Sequence, residues 1–277
     1  MTDEQFEDCK RCINRKKGKN NKENICNIKG KDMKFDYKCN DFDPDSVVVT
    51  GIKNKIDAIR PNLKRAKLAE IFIWLVMVLD ILSMFSSYLQ YRLLISLQNN
   101  EEVADQVITS NDLREQIIGI LYLIVFIISG VTFIQWFRRA YYNLSIRTNC
   151  NHSEGWASGS WFVPIISLYR PYQIMKEMFE ETTRLIKLKS SEQIENNMMI
   201  IGLWWTLWII SNYIGKYILK NAFKAETIEN FINVTLSDMV NSAIGIPLAI
   251  LTVMIIKSYA TREEKISELE NALNTIG

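Results

Sequence analysis

The distribution of apolar residues divides the chain into a polar N-terminal part and four long apolar runs. Residues 1–67 are rich in lysine, and the runs lie at about 70–91, 116–137, 198–219 and 239–257. A helix that crosses ~30 Å of hydrocarbon needs about 20 residues at ~1.5 Å per residue, so each run is long enough to span a bilayer. Buried helices of soluble proteins are usually shorter. The pattern predicts an all-α integral membrane protein whose four transmembrane helices lie within residues 68–258.

The lysine and arginine residues beside the runs predict the orientation of the chain. Cytoplasmic flanks of membrane helices carry an excess of these residues. The excess lies before the first run, after the second and after the fourth, whereas the 92–114 and 220–237 loops are acidic or balanced. We therefore expect the N-terminus, the 138–197 loop and the C-terminus in the cytoplasm. The positive flank residues are Arg60, Lys64, Arg65, Lys67, Arg138, Arg139, Arg147, Lys257, Arg262 and Lys265.

Four of the five cysteines lie in the polar N-terminal part, at Cys9, Cys12, Cys26 and Cys39. The spacing of Cys9 and Cys12 is that of a zinc knuckle, in which a tight turn presents two thiolates to one metal ion. A head of about 45 residues with few large apolar residues rarely folds unless a metal ion or a disulfide links its parts. Because cytoplasmic thiols stay reduced, we expect a zinc-knuckle-like head at 1–45 holding structural Zn(II), then a basic linker at 46–67. Unliganded thiols in a loose tail and redox or disulfide use are the alternatives.

The remaining composition points away from several function classes. Lys plus Arg is 33 and Asp plus Glu is 31, so the net charge of +2 gives no reason to expect nucleic-acid binding. His152 is the single histidine, which excludes histidine-based zinc hydrolases and haem sites with two histidines. Cys150 stands alone beyond the second run, and no base motif accompanies it. No catalytic or cofactor-binding residue is predicted.

Three polar side chains inside the predicted spans are candidate functional residues: Asp80, Asn212 and Asn241. An unpaired carboxylate at this depth costs at least ~2.5 kcal/mol, so Asp80 should be neutral, hydrated or paired. It either lines a proton or solute path or is protonated and hydrogen-bonded to a neighbouring helix. We expect Asn212 and Asn241 to join helices, and Pro247 to kink the fourth span.

The segment at 155–189, between the second and third spans, combines half a span with an amphipathic pattern. Its apolar stretch at 161–169 is too short to cross a bilayer, so it should lie at the interface or be re-entrant. After Pro171 the spacing predicts an amphipathic helix with Glu177 on its charged face. Arginines here suit lipid phosphates, or one of them pairs with Glu177. The candidate notch for lipid or a partner comprises Arg138, Arg139, Asn143, Trp156, Trp161, Arg170 and Glu177; the alternative is a structural plug.

Three consecutive motifs support a family resemblance. They read WF-x-RA-Y-x-N, GW-x-x-GSWF-x-P and L-x-RPYQ-x-x-KE, beginning at Trp136, Gly155 and Leu168. Over roughly 68–258 the chain resembles the bacterial membrane family known as domain of unknown function 4328. The resemblance implies a multi-pass protein of the bacterial cytoplasmic membrane with no established activity, so no catalytic role is carried over.

These observations favour a non-enzymatic anchoring, assembly or regulatory protein. The head, the amphipathic helix and a helical tail at 259–277 would serve a cytoplasmic protein partner or a homo-oligomer, and the bilayer with its anionic headgroups is the surrounding partner. One alternative is a small channel or transporter that uses Asp80 and the Pro247-kinked helix. A second alternative is a lipid-headgroup-binding or lipid-active protein at the cytoplasmic interface, which lacks a nucleophile–base pair.

Overall fold

The fold is built almost entirely from helices. The computed structural model describes residues 12–17, 24–26, 43, 58–190 and 198–275. In these residues two short strands precede six helices, and a 3₁₀ turn lies between the third and fourth helices. The elements are β1 (Arg15–Lys17), β2 (Asn24–Cys26), α1 (Leu63–Gln98), α2 (Asp105–Arg147), α3 (Glu154–Gly159), the 3₁₀ turn (Ile166–Leu168), α4 (Arg170–Lys189), α5 (Met198–Ala222) and α6 (Ile228–Thr275).

Helices α1, α2, α5 and α6 are long and apolar enough to cross a membrane. Many large apolar side chains on α1 and α2 are exposed, which suits contact with lipid tails and is far more apolar surface than soluble monomers tolerate. This finding confirms the predicted multi-pass membrane protein with four helical spans. The exposed side chains include Leu75, Val78, Leu82, Phe85, Ile120, Ile124 and Ile127.

Two of these helices extend well beyond a bilayer. α2 has 43 residues and α6 has 48, which at ~1.5 Å per residue gives about 65 Å and about 72 Å. The predicted spans are shorter because hydropathy marks only the part of a helix that lies in hydrocarbon. The predicted helical tail at 259–277 continues the fourth span up to Thr275, since α6 runs without a break from Ile228 to Thr275 and contains Pro247 in its interior.

Short connections define two ends of the helical bundle. Residues 99–104 join α1 to α2, and 223–227 join α5 to α6, so each pair forms an antiparallel hairpin. We call this the hairpin end. The opposite end carries α3, α4 and the last turns of α6, and we call it the α4 end. α1 packs on α2 and α6, whereas α5 packs on α6.

Helix α4 is the amphipathic helix that the sequence predicts after Pro171. Pro171 occupies the first turn, where its missing N–H costs no helical hydrogen bond. The apolar face, with Ile174, Met175 and Met178 fully buried, packs on α2, α5 and α6. The expected placement of Glu177 among the exposed charges is wrong, because its side chain is buried. The buried face of α4 is therefore wider than the apolar pattern and contains a carboxylate.

An aromatic cluster fills the core where α2, α5 and the 161–169 loop meet. Trp161 lies edge-on to Phe133 and Trp208, with ring centroids 5.6 and 5.5 Å apart. Trp205 stacks on Trp208 at 4.6 Å, and its Nε1 donates a hydrogen bond to the carbonyl of Leu168 at 3.1 Å. Aromatic pairs at such distances contribute ~0.5–1.5 kcal/mol each beyond their burial. The cluster therefore holds both ends of the loop against α5.

The described part of the head contains a short hairpin. β1 pairs antiparallel with β2, so that Arg15 lies opposite Cys26. Cys12 is buried, and its Sγ accepts a hydrogen bond from the backbone N–H of Asp43 at 3.5 Å. Cys9, Cys39 and the side chain of Cys26 lie outside the described residues. The zinc-knuckle interpretation therefore stays a prediction.

Candidate functional site

Glu177 is the centre of a hydrogen-bonded cluster at the α4 end. Its Oε2 accepts a hydrogen bond from the Tyr141 hydroxyl at 2.7 Å and lies 3.1 Å from Nδ1 of His152. Its Oε1 accepts the backbone N–H of Asn151 at 2.5 Å. In the described part of the chain these partners replace the arginine considered for Glu177. The contacts hold the 148–153 loop, which carries the single histidine, against α2 and α4.

Cys150 lies beside this cluster as a protonated thiol. Burial raises the pKa of the Cys150 thiol to about 12, and the negative charge of Glu177 adds to the rise. The thiolate rather than the thiol is the nucleophile, so very little of Cys150 is reactive near neutral pH. Tyr141, Cys150, His152 and Glu177 thus form a structural cluster. The sequence gives no signal for it, because its members are up to 36 residues apart.

The residues of the predicted notch do not form one site, because Glu177 belongs to the cluster described above and the others lie in two further places. The Arg170 guanidinium lies over the rings of Trp156 and Tyr169, at 5.7 and 5.6 Å from their centroids. Trp161 belongs to the aromatic cluster beside them. Asn143 contacts a different set of residues, described next, and Arg138 is exposed. Arg139 lies on that second side, since its guanidinium interacts with the charges of Arg65 and Arg60.

Asn143 joins the end of the linker to two membrane helices. Its Oδ1 accepts the backbone N–H of Arg60 at 3.0 Å, and its Nδ2 donates to the Arg60 carbonyl at 2.8 Å. The same Nδ2 donates to Glu263 Oε1 at 2.5 Å, and Asn62 Nδ2 donates to Glu263 Oε2 at 3.3 Å. We call Arg60, Asn62, Asn143 and Glu263 the linker clasp. Sequence reasoning missed Glu263, because it lies in a charged stretch that resembles a solvated helix face.

The 161–169 loop projects apolar side chains from the α4 end. Ile165 has φ 68° and ψ −54°, and the N–H of Ile166 donates to the carbonyl of Pro164 at 2.7 Å. This is a γ-turn of the positive-φ type, which is rare and strained, above all for a β-branched residue. Phe162 and Ile165 are each 75% exposed. The loop therefore holds two large apolar side chains outward in a costly backbone conformation.

Asp80 lies in the interior of the bundle against a glycine of α6. Its side chain is 2% exposed. A Cβ on Gly245 would lie 2.5 Å from Asp80 Oδ2 and 2.9 Å from Oδ1, so the missing side chain of Gly245 makes room for the carboxyl group. Within the described residues Oδ2 has no hydrogen-bond partner. The sequence identifies Asp80 and Gly245 separately, but only the fold shows that they meet.

The two intramembrane asparagines have different partners. Asn241 Oδ1 accepts a hydrogen bond from Ser211 Oγ at 2.9 Å, which joins α6 to α5. Asn212 is exposed, and its Nδ2 donates to the Trp208 carbonyl in the same helix at 2.8 Å. The expected contact between helices is therefore made by Asn241 and not by Asn212.

More than half of the chain matches a known protein family. A family model matches residues 99–261, from the α1–α2 connection into α6. The chain belongs to the family described as Domain of unknown function (DUF4328). No curated protein and no solved structure matches it. The match begins at residue 99 instead of the expected 68, so the DUF4328 region contains the Glu177 cluster and the 161–169 loop, whereas α1 with Asp80 lies outside it.

Proposed function

We propose that this DUF4328 protein is a non-enzymatic membrane anchor, which holds a zinc-bound head and the α4 end of its bundle at the cytoplasmic face for a protein partner. The linker clasp is the observation that best supports this proposal. It binds both backbone polar groups of Arg60 to one asparagine of α2 and shares that asparagine with α6. A tether meant only to connect the head would need no such contacts, because a flexible linker spans the distance without them.

The exposed face of α4 is the proposed docking surface. It carries Lys176, Glu180 and Arg184 along one side of the helix, while the opposite face is buried in the bundle. Lys176 and Glu180 are 3.6 Å apart, and such exposed pairs contribute little to stability. The mixed charges therefore suit recognition of a partner with complementary charges better than they suit folding.

The same proposal places the chain in a bacterial cytoplasmic membrane, with both termini in the cytoplasm. The excess of lysine and arginine lies at the α4 end, including Arg60 before α1 and Lys64 and Arg65 in its first turn, and the hairpin loops have no such excess. Anionic headgroups would then lie next to Arg170 and the exposed apolar tips of the 161–169 loop.

Structural zinc in the head is part of the proposal. Burial of Cys12, the N–H···S hydrogen bond from Asp43 and the strand pairing that returns the chain at Cys26 are compatible with a closed thiolate site. Elemental analysis of the purified full chain should find about one zinc per chain, lowered by Cys12→Ser. Cys150→Ser is the matched control and should keep the metal. Equal metal content in both variants would contradict the zinc-bound head.

Photocrosslinking in cells tests the anchor itself. A photoreactive amino acid replaces Lys176 on α4, and the matched control replaces Glu101, which is exposed in the α1–α2 connection. We expect a discrete protein adduct from the α4 position alone. A double charge reversal, Glu180→Lys with Arg184→Glu, should abolish the adduct at unchanged protein levels. Adducts with lipid only, or the same adducts from both positions, would contradict the proposed docking surface.

A further inference from the structure

Polar side chains follow the contact between α1, α2 and α6 from the hairpin end inward. Gln90 Nε2 donates to Thr235 Oγ1 at 3.2 Å, and one turn deeper Ser87 Oγ donates to Asp238 Oδ2 at 2.9 Å. Buried polar groups in hydrocarbon are costly, so such a line is unusual unless it has a use. We call this set the polar seam: Gln90, Thr235, Ser87, Asp238, Ser86, Arg114, Glu115, Tyr122 and Asp80.

Arg114, the arginine of the polar seam, has both a hydrogen-bond partner and an ion-pair partner. Arg114 Nε donates to Ser86 Oγ at 2.8 Å, and Arg114 lies 3.4 Å from Glu115 Oε1. Ser86 also donates to Glu115. Arg114 and Glu115 therefore form an ion pair near the hairpin end. The two deeper carboxyl groups, Asp238 and Asp80, have no such pairing among the described residues.

Asp80 ends the seam deep in the bundle. It lies seven residues before Ser87 on α1, which is about 10 Å further along the helix at ~1.5 Å per residue. Its side chain is 98% buried, since only 2% is exposed, and within the described residues Oδ2 has no hydrogen-bond partner. The carboxyl group lies against Gly245, and at this position α6 presents backbone without a side chain.

Tyr122 connects Asp80 to the rest of the seam. Its side chain on α2 is hydrogen-bonded to the Asp80 carboxyl. Asp238 on α6 is near enough for its charge to act on both groups, and the charge of Glu115 acts on Asp238 in the same way. Asp80 thus faces Tyr122 from α2 and Asp238 from α6, with the Arg114–Glu115 pair beyond them. These groups are proton donors and acceptors that lie between the hairpin end and the middle of the bundle.

We propose that Asp80 is a proton-binding site in the membrane interior, which exchanges its proton with the hairpin side through Tyr122 and Asp238. A proton needs one oxygen, and the partnerless Oδ2 provides it. A metal cation needs several oxygen ligands at once, and the tight contact with Gly245 leaves no space for them on that side of the carboxyl. The step is a proton transfer alone. The proton moves along the polar seam and binds to an oxygen of Asp80, and no electron is transferred.

The occupancy of the site is tested with dicyclohexylcarbodiimide, an apolar reagent that modifies protonated carboxyl groups. The full chain in lipid nanodiscs is treated over a range of pH, and adducts are located by peptide mass spectrometry. We expect an adduct on Asp80 that decreases at high pH, and none on Asp112, which is exposed on α2. Exchange of choline for sodium at constant ionic strength should leave the labelling unchanged. Absence of an Asp80 adduct, or protection by sodium, would overturn the proposal.

The exchange route is tested by infrared spectroscopy. The protonated carboxyl band of the wild type is assigned by its loss in Asp80→Asn, and its shift is followed after transfer into D₂O. We expect Asp238→Asn to slow that shift at least tenfold, with Asp112→Asn as the matched control that leaves it unchanged. A band that exchanges equally fast in both variants would overturn the route. If Asp80→Asn fails to fold, carbodiimide labelling of the wild type still decides the occupancy.

Discussion

Gly245 shows how one missing side chain sets the position of a buried carboxyl group. Of the seven glycines that lie in the described helices, Gly245 alone would bring a Cβ into contact with a neighbour, and that neighbour is Asp80. Other glycines also lie inside the predicted spans, including Gly130, Gly202 and Gly215, and a glycine at any of these positions permits close approach of a neighbouring helix. Pattern alone does not separate them, because the contact depends on which residue of another helix lies opposite.

Gly245→Ala should destabilise the protein by roughly 1–3 kcal/mol, since the new methyl group would overlap the Asp80 carboxyl. Gly215→Ala on α5 is the matched control, because its Cβ would meet nothing within 4 Å. Unfolding in mixed micelles with increasing dodecyl sulfate measures the difference. Adding Asp80→Ala should remove most of the penalty of Gly245→Ala. Equal effects of the two alanine variants would contradict this packing.

Cys150 should remain a slow nucleophile well into alkaline pH. Its pKa of about 12 means that the thiolate fraction grows about tenfold per pH unit below that value. The rate of alkylation by N-ethylmaleimide, measured by mass spectrometry of the Cys150 peptide, should therefore rise about a hundredfold from pH 7 to pH 9 without a plateau. Glu177→Gln should increase the rate at fixed pH, because it removes a negative charge. A plateau near pH 9 would indicate an unperturbed thiol.

At the scale of elements, periodicity predicts the helices well and their ends and partners poorly. The apolar runs predict α1, α2, α5 and α6, and the spacing after Pro171 predicts α4. Hydropathy places the end of the second span near residue 137, whereas α2 continues to Arg147. The extra turns are stabilised by contacts with other elements, such as Asn143 with Glu263, which local sequence does not encode.

Removal of the Asn143 side-chain amide should release the end of the linker from the bundle. Asn143→Ala loses both bonds to the Arg60 backbone and the bond to Glu263, each with a net contribution of about 0.5–1.5 kcal/mol. Hydrogen exchange of the peptide that contains Arg60 should become at least about tenfold faster. Asn212→Ala is the control, since Asn212 bonds only within α5. Unchanged exchange in Asn143→Ala would contradict the linker clasp.

We predict that the Ile165 side chain enters the bilayer surface, and that this contact offsets the backbone strain of its turn. A photoactivatable lipid in nanodiscs should crosslink to the 161–169 peptide, and Phe162→Ser with Ile165→Ser should reduce that yield several-fold. Ile165→Gly relieves the backbone strain. It should therefore raise the unfolding temperature in detergent, where the Ile165 side chain makes no stabilising contact with a bilayer. If the wild type gave no more lipid crosslinking than the Phe162→Ser, Ile165→Ser double variant, the contact of the loop with the bilayer would be contradicted.

At the scale of the whole molecule, the membrane bundle is joined to an organised layer at its α4 end. Arg147 lies 3.1 Å from Glu270, and Lys189 lies 2.7 Å from the same carboxylate, so α2 and the end of α4 are tied to the last turns of α6. Ile266, in the last turns of α6, is buried within the chain. The sequence suggests that the tail at 259–277 serves a homo-oligomer, because it shows the apolar residues of the tail and not what covers them inside the chain.

Accessibility of single positions in living cells tests the central claim, that four helices cross the membrane with the α4 end in the cytoplasm. Glu101→Cys lies in the α1–α2 connection, and Lys187→Cys lies on the exposed face of α4. A membrane-impermeant maleimide, with adducts mapped by peptide, should label Glu101→Cys in intact cells and Lys187→Cys only after permeabilisation. Labelling of Lys187→Cys in intact cells would contradict the claim.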